Sequence, residues 1–174
     1  MNDAQKFFNE GLSCLPSKNF EQAIENFTRA IELDENYSDA YGARGMTYGI
    51  IGKNDAAVAD LNRAIELNPN DARSYYNRGM TYAVRLKEFT KAVDDLNHAA
   101  ELAPNHLPIY LQRGFAYLNL QKYELAVADF DKYIAGDKKF VPAYRWRGIC
   151  HQNLGNAAQA QSDFDRAKEL GYSG

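Results

Sequence analysis

Three histidines, two cysteines and a recurring arginine–aspartate couple are the side chains of this 174-residue sequence that could carry chemistry. A metal centre or an activated nucleophile needs such groups gathered at short spacing, as in His-x-x-x-His or Cys-x-x-Cys. His98, His106 and His151 fall at three unrelated positions, and Cys14 and Cys150 stand near opposite ends of the chain. The glycines occur singly and form no phosphate-cradling loop. No catalytic residue, metal ligand or cofactor is therefore expected, and the chain reads as a non-enzyme.

The couples are more regular. Arg44, Arg78, Arg113 and Arg147 each precede a glycine, and Asp60, Asp95, Asp129 and Asp163 follow them at 16 or 17 residues. The start of the chain has neither partner and carries Glu10 and Asn26 in their places. Arginine and aspartate appear together or not at all, which predicts that they meet, within one hairpin or between neighbours. Mutual satisfaction of guanidinium and carboxylate is a better reading than an anion-binding ladder. Removing one member then strands a buried charge.

What positions the couples is an internal repeat. Tyr41-Gly-Ala-Arg44-Gly45-Met-Thr-Tyr48 returns as Tyr75-Tyr-Asn-Arg78-Gly79-Met-Thr-Tyr82, then at Tyr110–Tyr117 and Tyr144–His151, a period of 34 or 35 residues. In register, Phe7, Tyr41, Tyr75, Tyr110 and Tyr144 form one column, and Gly11, Gly45, Gly79, Gly114 and Gly148 a second. Ala23, Ala57, Ala92, Ala126 and Ala160 align further on, followed by Phe27, Leu61, Leu96, Phe130 and Phe164. A period of this length with apolar residues at helical spacing means stacked helical hairpins. Small residues on both helices let their backbones approach.

These columns resemble the tetratricopeptide repeat (TPR) family. The resemblance covers nearly the whole chain and implies one all-α domain over 1–174, a right-handed α-solenoid of antiparallel helix pairs. Its repeats fall at about 4–37, 38–71, 72–106, 107–140 and 141–174. Pro69 and Pro104 close two second helices, and Pro108 and Pro142 open two first helices, where a missing N–H costs nothing. Repeat 3 has one extra residue within Val84–Phe89, which calls for a longer turn or a helical bulge. Tyr133, Gly136 and Lys138 break the columns, so the junction between repeats 4 and 5 is expected to be the least regular. Gln161 and Lys168 replace apolar residues in repeat 5, as a terminal repeat without a covering neighbour requires. Both cysteines are expected to be reduced and buried, too far apart in a stack for a disulfide.

In the resembled family the first helices line a concave groove. Carried over, that face includes Phe8, Leu12, Met46, Tyr76, Met80, Leu111 and Phe115, an apolar surface of the kind that marks a binding site. A carboxylate clamp for chaperone tails would need lysine and asparagine, and a further lysine or arginine pair, where Phe8, Leu12, Ala43, Arg73 and Asn77 stand, and only Arg73 fits in charge. The implied ligand is an apolar or amphipathic peptide segment of another protein, with Arg73, Asn77, Gln112 and Arg145 fixing its direction. The expected role is a non-catalytic adaptor or scaffold, co-chaperone-like. The alternative is a structural subunit that self-assembles through its end faces, although a monomer is favoured.

Composition bounds the partners. With 45% apolar and 25% charged residues, the chain has an ordinary globular make-up. A net charge of −3 spread along it supplies no basic field for nucleic acid or anionic membranes. No run is long enough to span a bilayer and the polar N-terminus has no leader pattern, so a cytoplasmic location is expected.

Overall fold

The computed structural model describes residues 2–172. Among them the helices are α1 (Asp3–Cys14), α2 (Phe20–Leu33), α3 (Ser38–Ile50), α4 (Asn54–Leu67), α5 (Ala72–Met80), α6 (Phe89–Leu102), α7 (Leu107–Asn119), α8 (Tyr123–Gly136), α9 (Val141–Asn153) and α10 (Ala157–Glu169). A π-helical segment, Thr81–Leu86, continues α5. The described residues contain no strand, so the all-helical class expected from the repeat holds. They form two compact units, Met1–Lys87 and Glu88–Gly174. In the first, each helix packs on its successor and α3 also touches α5. In the second, α6 to α10 pack in the same order and α7 touches α9.

The glycine column works as a set of sockets. A Cβ on Gly11 would lie 2.6 Å from the ring of Phe27, one on Gly114 2.8 Å from Phe130, and one on Gly148 2.7 Å from Phe164. Each glycine thus receives the large side chain of the paired helix, and Phe27 and Phe130 are fully buried there. At Gly45 a Cβ would also stand 3.1 Å from the Ala57 carbonyl, so the backbones themselves approach as the small columns required.

Each of the five hairpin turns places one residue in the left-handed region, and four of them close in one way, while in the third the Lys87 N–H itself bonds the Tyr82 carbonyl. Lys18, Gly52, Lys87, Gln121 and Gly155 adopt φ of 59°, 80°, 56°, 59° and 76°. The N–H of the residue after this left-handed position reaches back over the helix end: Asn19 to the Cys14 carbonyl at 3.1 Å, and Lys53, Lys122 and Asn156 to Tyr48, Tyr117 and His151 at 2.9 Å. This Schellman-type closure favours glycine, yet three of the turns carry a side chain. In repeat 3 the extra residue is taken up before the turn, where the chain widens into the π segment, so the bulge takes the form expected.

The junction between repeats 4 and 5 proves regular, contrary to expectation. Its linker, 137–140, is four residues long like 34–37, 68–71 and 103–106, and α8 is 14 residues long like α2, α4 and α6. Asp137 accepts from the Lys139 N–H at 3.0 Å, as Asp34 and Asn68 do in their own turns. The unusual residues are compensated by packing. Leu107 fills the space that a side chain on Gly136 would need, and Tyr133 meets Phe140 edge-on with ring centres 5.5 Å apart. Gln161 and Lys168 are exposed, as a terminal repeat requires.

Candidate functional site

The arginine column forms the spine of each unit. Arg44 donates Nε and Nη2 to the two oxygens of Asp60 at 2.7 and 2.9 Å, Arg113 to those of Asp129 at 2.8 and 2.7 Å, and Arg147 to those of Asp163 at 2.9 and 2.5 Å. The remaining Nη1 points the other way, to an acceptor sixteen residues upstream. Arg44 reaches Thr28 at 2.9 Å, Arg78 Asn62 at 2.6 Å, Arg113 Asn97 at 3.0 Å and Arg147 Asp131 at 2.6 Å. Each guanidinium also lies near a tyrosine ring, as Arg113 does over Tyr110 at 5.3 Å. One side chain therefore ties its own hairpin and joins it to the preceding one. The sequence pattern gave the carboxylate partner; the upstream acceptors are Thr, Asn, Asn and Asp and share no residue type that would have marked them.

Burial alone would lower the pKa of Arg44, but its hydrogen bond to Asp60 and that charge raise it above the ordinary value. The hydrogen bond to Asp129 raises Arg113 likewise, and the one to Asp163 raises Arg147. With its donors so committed, this column has little left for a bound anion.

The first-helix face of the first unit is different. Phe8 and Leu12 of α1, Gly42, Ala43 and Met46 of α3, and Ser74 and Asn77 of α5 line a cleft of about 310 Å³, with Asp39, Asp71 and Arg73 at its rim. It meets a smaller hollow of about 80 Å³ at Met46 and Asn77, lined further on by Gly49, Ile50, Met80, Thr81, Val84 and Arg85. Small residues keep the furrow open, since a Cβ on Gly42 would come within 3.1 Å of the Ser74 hydroxyl. Leu12, Ile50 and Val84 are 40%, 43% and 46% exposed. Of the seven residues expected here, Phe8, Leu12, Met46, Arg73 and Asn77 share the cleft and Met80 joins through the smaller hollow. Tyr76 lines neither; burial raises its phenol pKa.

Arg73 is already engaged. It donates Nη2 to Asp39 at 2.7 Å and Nε to Asp71 at 3.1 Å. Asp71 also caps α5, accepting from the Arg73 and Ser74 N–H groups and, at 2.7 Å, from the Ser74 hydroxyl. Burial pushes the Asp71 carboxyl up, but the Ser74 and Arg73 hydrogen bonds outweigh it and hold it below its ordinary value. A cation held by two carboxylates is a poor clamp for a third. Ile50, Val84 and Arg85 were not among the expected residues. The one-residue insertion in repeat 3 was the available signal, because it marks where Val84 and Arg85 leave the family register.

In the second unit the corresponding residues turn to packing. Leu111 is corrected from surface to core: it is 7% exposed and clusters with Phe130, Tyr133, Ile134 and Tyr144. Phe115 lies between Phe89, 6.2 Å away edge-on, and Trp146 at 5.1 Å. Arg145 covers the ring of Tyr172 at 4.0 Å, and Gln112 is half-buried.

Cys14 is half-buried and Cys150 fully so, both as free thiols, so burial of both was correct only for Cys150. Among the described residues no group of three or more His, Cys, Asp or Glu is placed to hold a metal ion. None of the described helices is long and apolar enough to cross a membrane.

Spine, sockets and turns together define a helical-hairpin repeat protein. Tetratricopeptide repeat models match residues 4–37, 72–106 and 107–138, another such model matches 26–59, and a TPR repeat model matches 50–83. More than half of the chain is matched, and it belongs to the TPR family, whose repeats serve as protein–protein interaction scaffolds. Among solved structures it is similar to "MamA 41-end from Desulfovibrio magneticus RS-1", with 19% identity and TM-score 0.87 over 98% of this chain and 96% of that one. It is also similar to "Crystal structure of MamA", at 24% identity and TM-score 0.83 over 92% and 93%. A third is "YrrB: a TPR protein with an unusual peptide-binding site", at 22% identity and TM-score 0.84 over 97% and 87%. At these identities the likeness is one of fold. No curated protein matches the chain.

Proposed function

We propose that this protein is a non-catalytic scaffold that holds an apolar or amphipathic segment of a partner protein against the first-helix face of its first unit. The supporting observation is the furrow through Leu12, Met46 and Met80, an open apolar surface on a chain that elsewhere fills the same columns. Methionine suits such a surface because its unbranched thioether adapts to different side chains. A structurally similar protein, YrrB, is described as having a peptide-binding site, which agrees with this reading. Self-assembly through end faces has less support. The spine does not continue at the start of the chain, where Glu10 stands in the arginine column, so a head-to-tail neighbour would meet Asp165 with another carboxylate.

The test is affinity capture with the unaltered chain and with a Met46→Glu, Met80→Glu variant, using Leu125→Glu as a control on an exposed residue elsewhere. Proteins held by the unaltered chain and by the control, and lost by the furrow variant at unchanged thermal stability, are the expected outcome. Recovery of the same set by all three removes the furrow as the site.

A further inference from the structure

The furrow has unlike ends. At the N-terminal ends of α3 and α5 stand Asp39, Asp71 and Arg73, two carboxylates against one guanidinium. At the C-terminal end of the same two elements the π segment turns Val84 and Arg85 outward beside Ile50. Arg85 is exposed and has no ion-pair partner among the described residues. Between the two ends the lining, from Gly42 and Met46 to Asn77 and Met80, holds no charged side chain. The distance along α3, 13 residues at about 1.5 Å each, is about 20 Å. An extended chain covers that in about six residues.

From this we infer that the segment bound here is zwitterionic: a short extended stretch with apolar side chains on one face, a basic group at the Asp39–Asp71 end and an acidic group at the Arg85 end. The inference rests on the reading of the furrow as a peptide site and adds the charge pattern of its ligand. The insertion in repeat 3 takes on a purpose in this light. A regular turn at this point would keep the family register, whereas the π segment places a hollow and a cation at the end of the furrow. Charges at a rim discriminate between partners more than they add raw affinity, because a mismatched carboxylate or ammonium meets a like charge.

Calorimetric titration of the full chain with three acetylated and amidated peptides tests this: Lys-Leu-Ser-Leu-Ser-Leu-Glu, and the same peptide with lysine at both ends or glutamate at both ends. The zwitterionic peptide is expected to bind about two- to five-fold tighter than either relative, the factor that one exposed charge pair supplies. Arg85→Glu is expected to transfer the preference to the doubly basic peptide, and Arg85→Gln to abolish the distinction at the Arg85 end. Equal affinity for all three, or a preference unmoved by Arg85→Glu, overturns the charge pattern. If binding is then still lost in the Met46→Glu, Met80→Glu variant, the furrow survives as a peptide site. Binding by none of the peptides, or binding that the furrow variant leaves unchanged, overturns both.

Discussion

The two units share a skeleton and differ in their surfaces. Both are tied by arginines that clasp an aspartate of their own hairpin and an acceptor of the one before. On the first-helix face, however, the first unit presents Gly42, Met46, Gly49 and Met80 and leaves a furrow. The second places Leu111 in its core and packs Phe115 against Trp146. A repeat can therefore hold its pairing residues fixed and vary the columns that face outward, so that one set of hairpins is filled and another left open.

The largest expected effect tests the shared part. Arg113→Leu leaves Asp129 buried without its cation and should cost roughly 3–5 kcal/mol in urea unfolding, with Arg44→Leu costing a similar amount in the first unit. The double change Arg113→Leu, Asp129→Leu should recover part of the loss. A spine that matters in only one unit would show as an asymmetry between the two arginines.

Next comes the part that differs. Phe115→Ala should destabilise by about 2–3 kcal/mol and shift the emission of Trp146, the only tryptophan in the chain. Met80→Ala should cost under about 1 kcal/mol while weakening ligand capture, since a side chain on an open face loses little when truncated. Equal costs would mean that the furrow is as tightly packed as the aromatic cluster around Phe115.

The thiols sharpen the contrast by rate. Burial pushes Cys150 from its ordinary 9.0 up to about 12, while Cys14 is half-buried. Under native conditions Ellman's reagent should titrate one thiol quickly, and the second only on unfolding. Because the folded thiol stays protonated while the unfolded one ionises near 9, stability should decline as pH rises from about 9 towards 12. A Cys150→Ala variant should lack that component of the decline.

The smallest effect concerns the turns. Lys18→Gly, Lys87→Gly and Gln121→Gly each relieve a side chain held at positive φ and should each stabilise by about 0.5–1 kcal/mol. A larger gain at Lys87 than at Gln121 would show that the π segment strains its turn.

Much of this architecture was written in residue types at a fixed period. The helix starts, the glycine sockets, the arginine–aspartate couples and the bulge in repeat 3 all follow from columns, because each depends on a residue kind that only one conformation or partner suits. The junction at Asp137 was misjudged for the opposite reason. Tyr133 and Gly136 look like defects one at a time, and only their contacts with Phe140 and Leu107 show how each is accommodated. The furrow was half legible. Leu12, Met46 and Met80 stood at the right positions, but Leu111 occupies an equivalent one and is buried, since the column does not record how large its neighbours are. Arg73 had the right charge, and nothing in its own position revealed that Asp39 and Asp71 already hold it.

The upstream bond of the spine carries a consequence for surgery on the gene. Excising residues 38–71 removes one whole period and moves Arg78 to the place that Arg44 held, with Thr28 sixteen positions before it. A cut that does not remove whole repeats leaves an arginine out of step with its acceptor. The molecule can thus be shortened like a chain losing a link, but only where the joints already are.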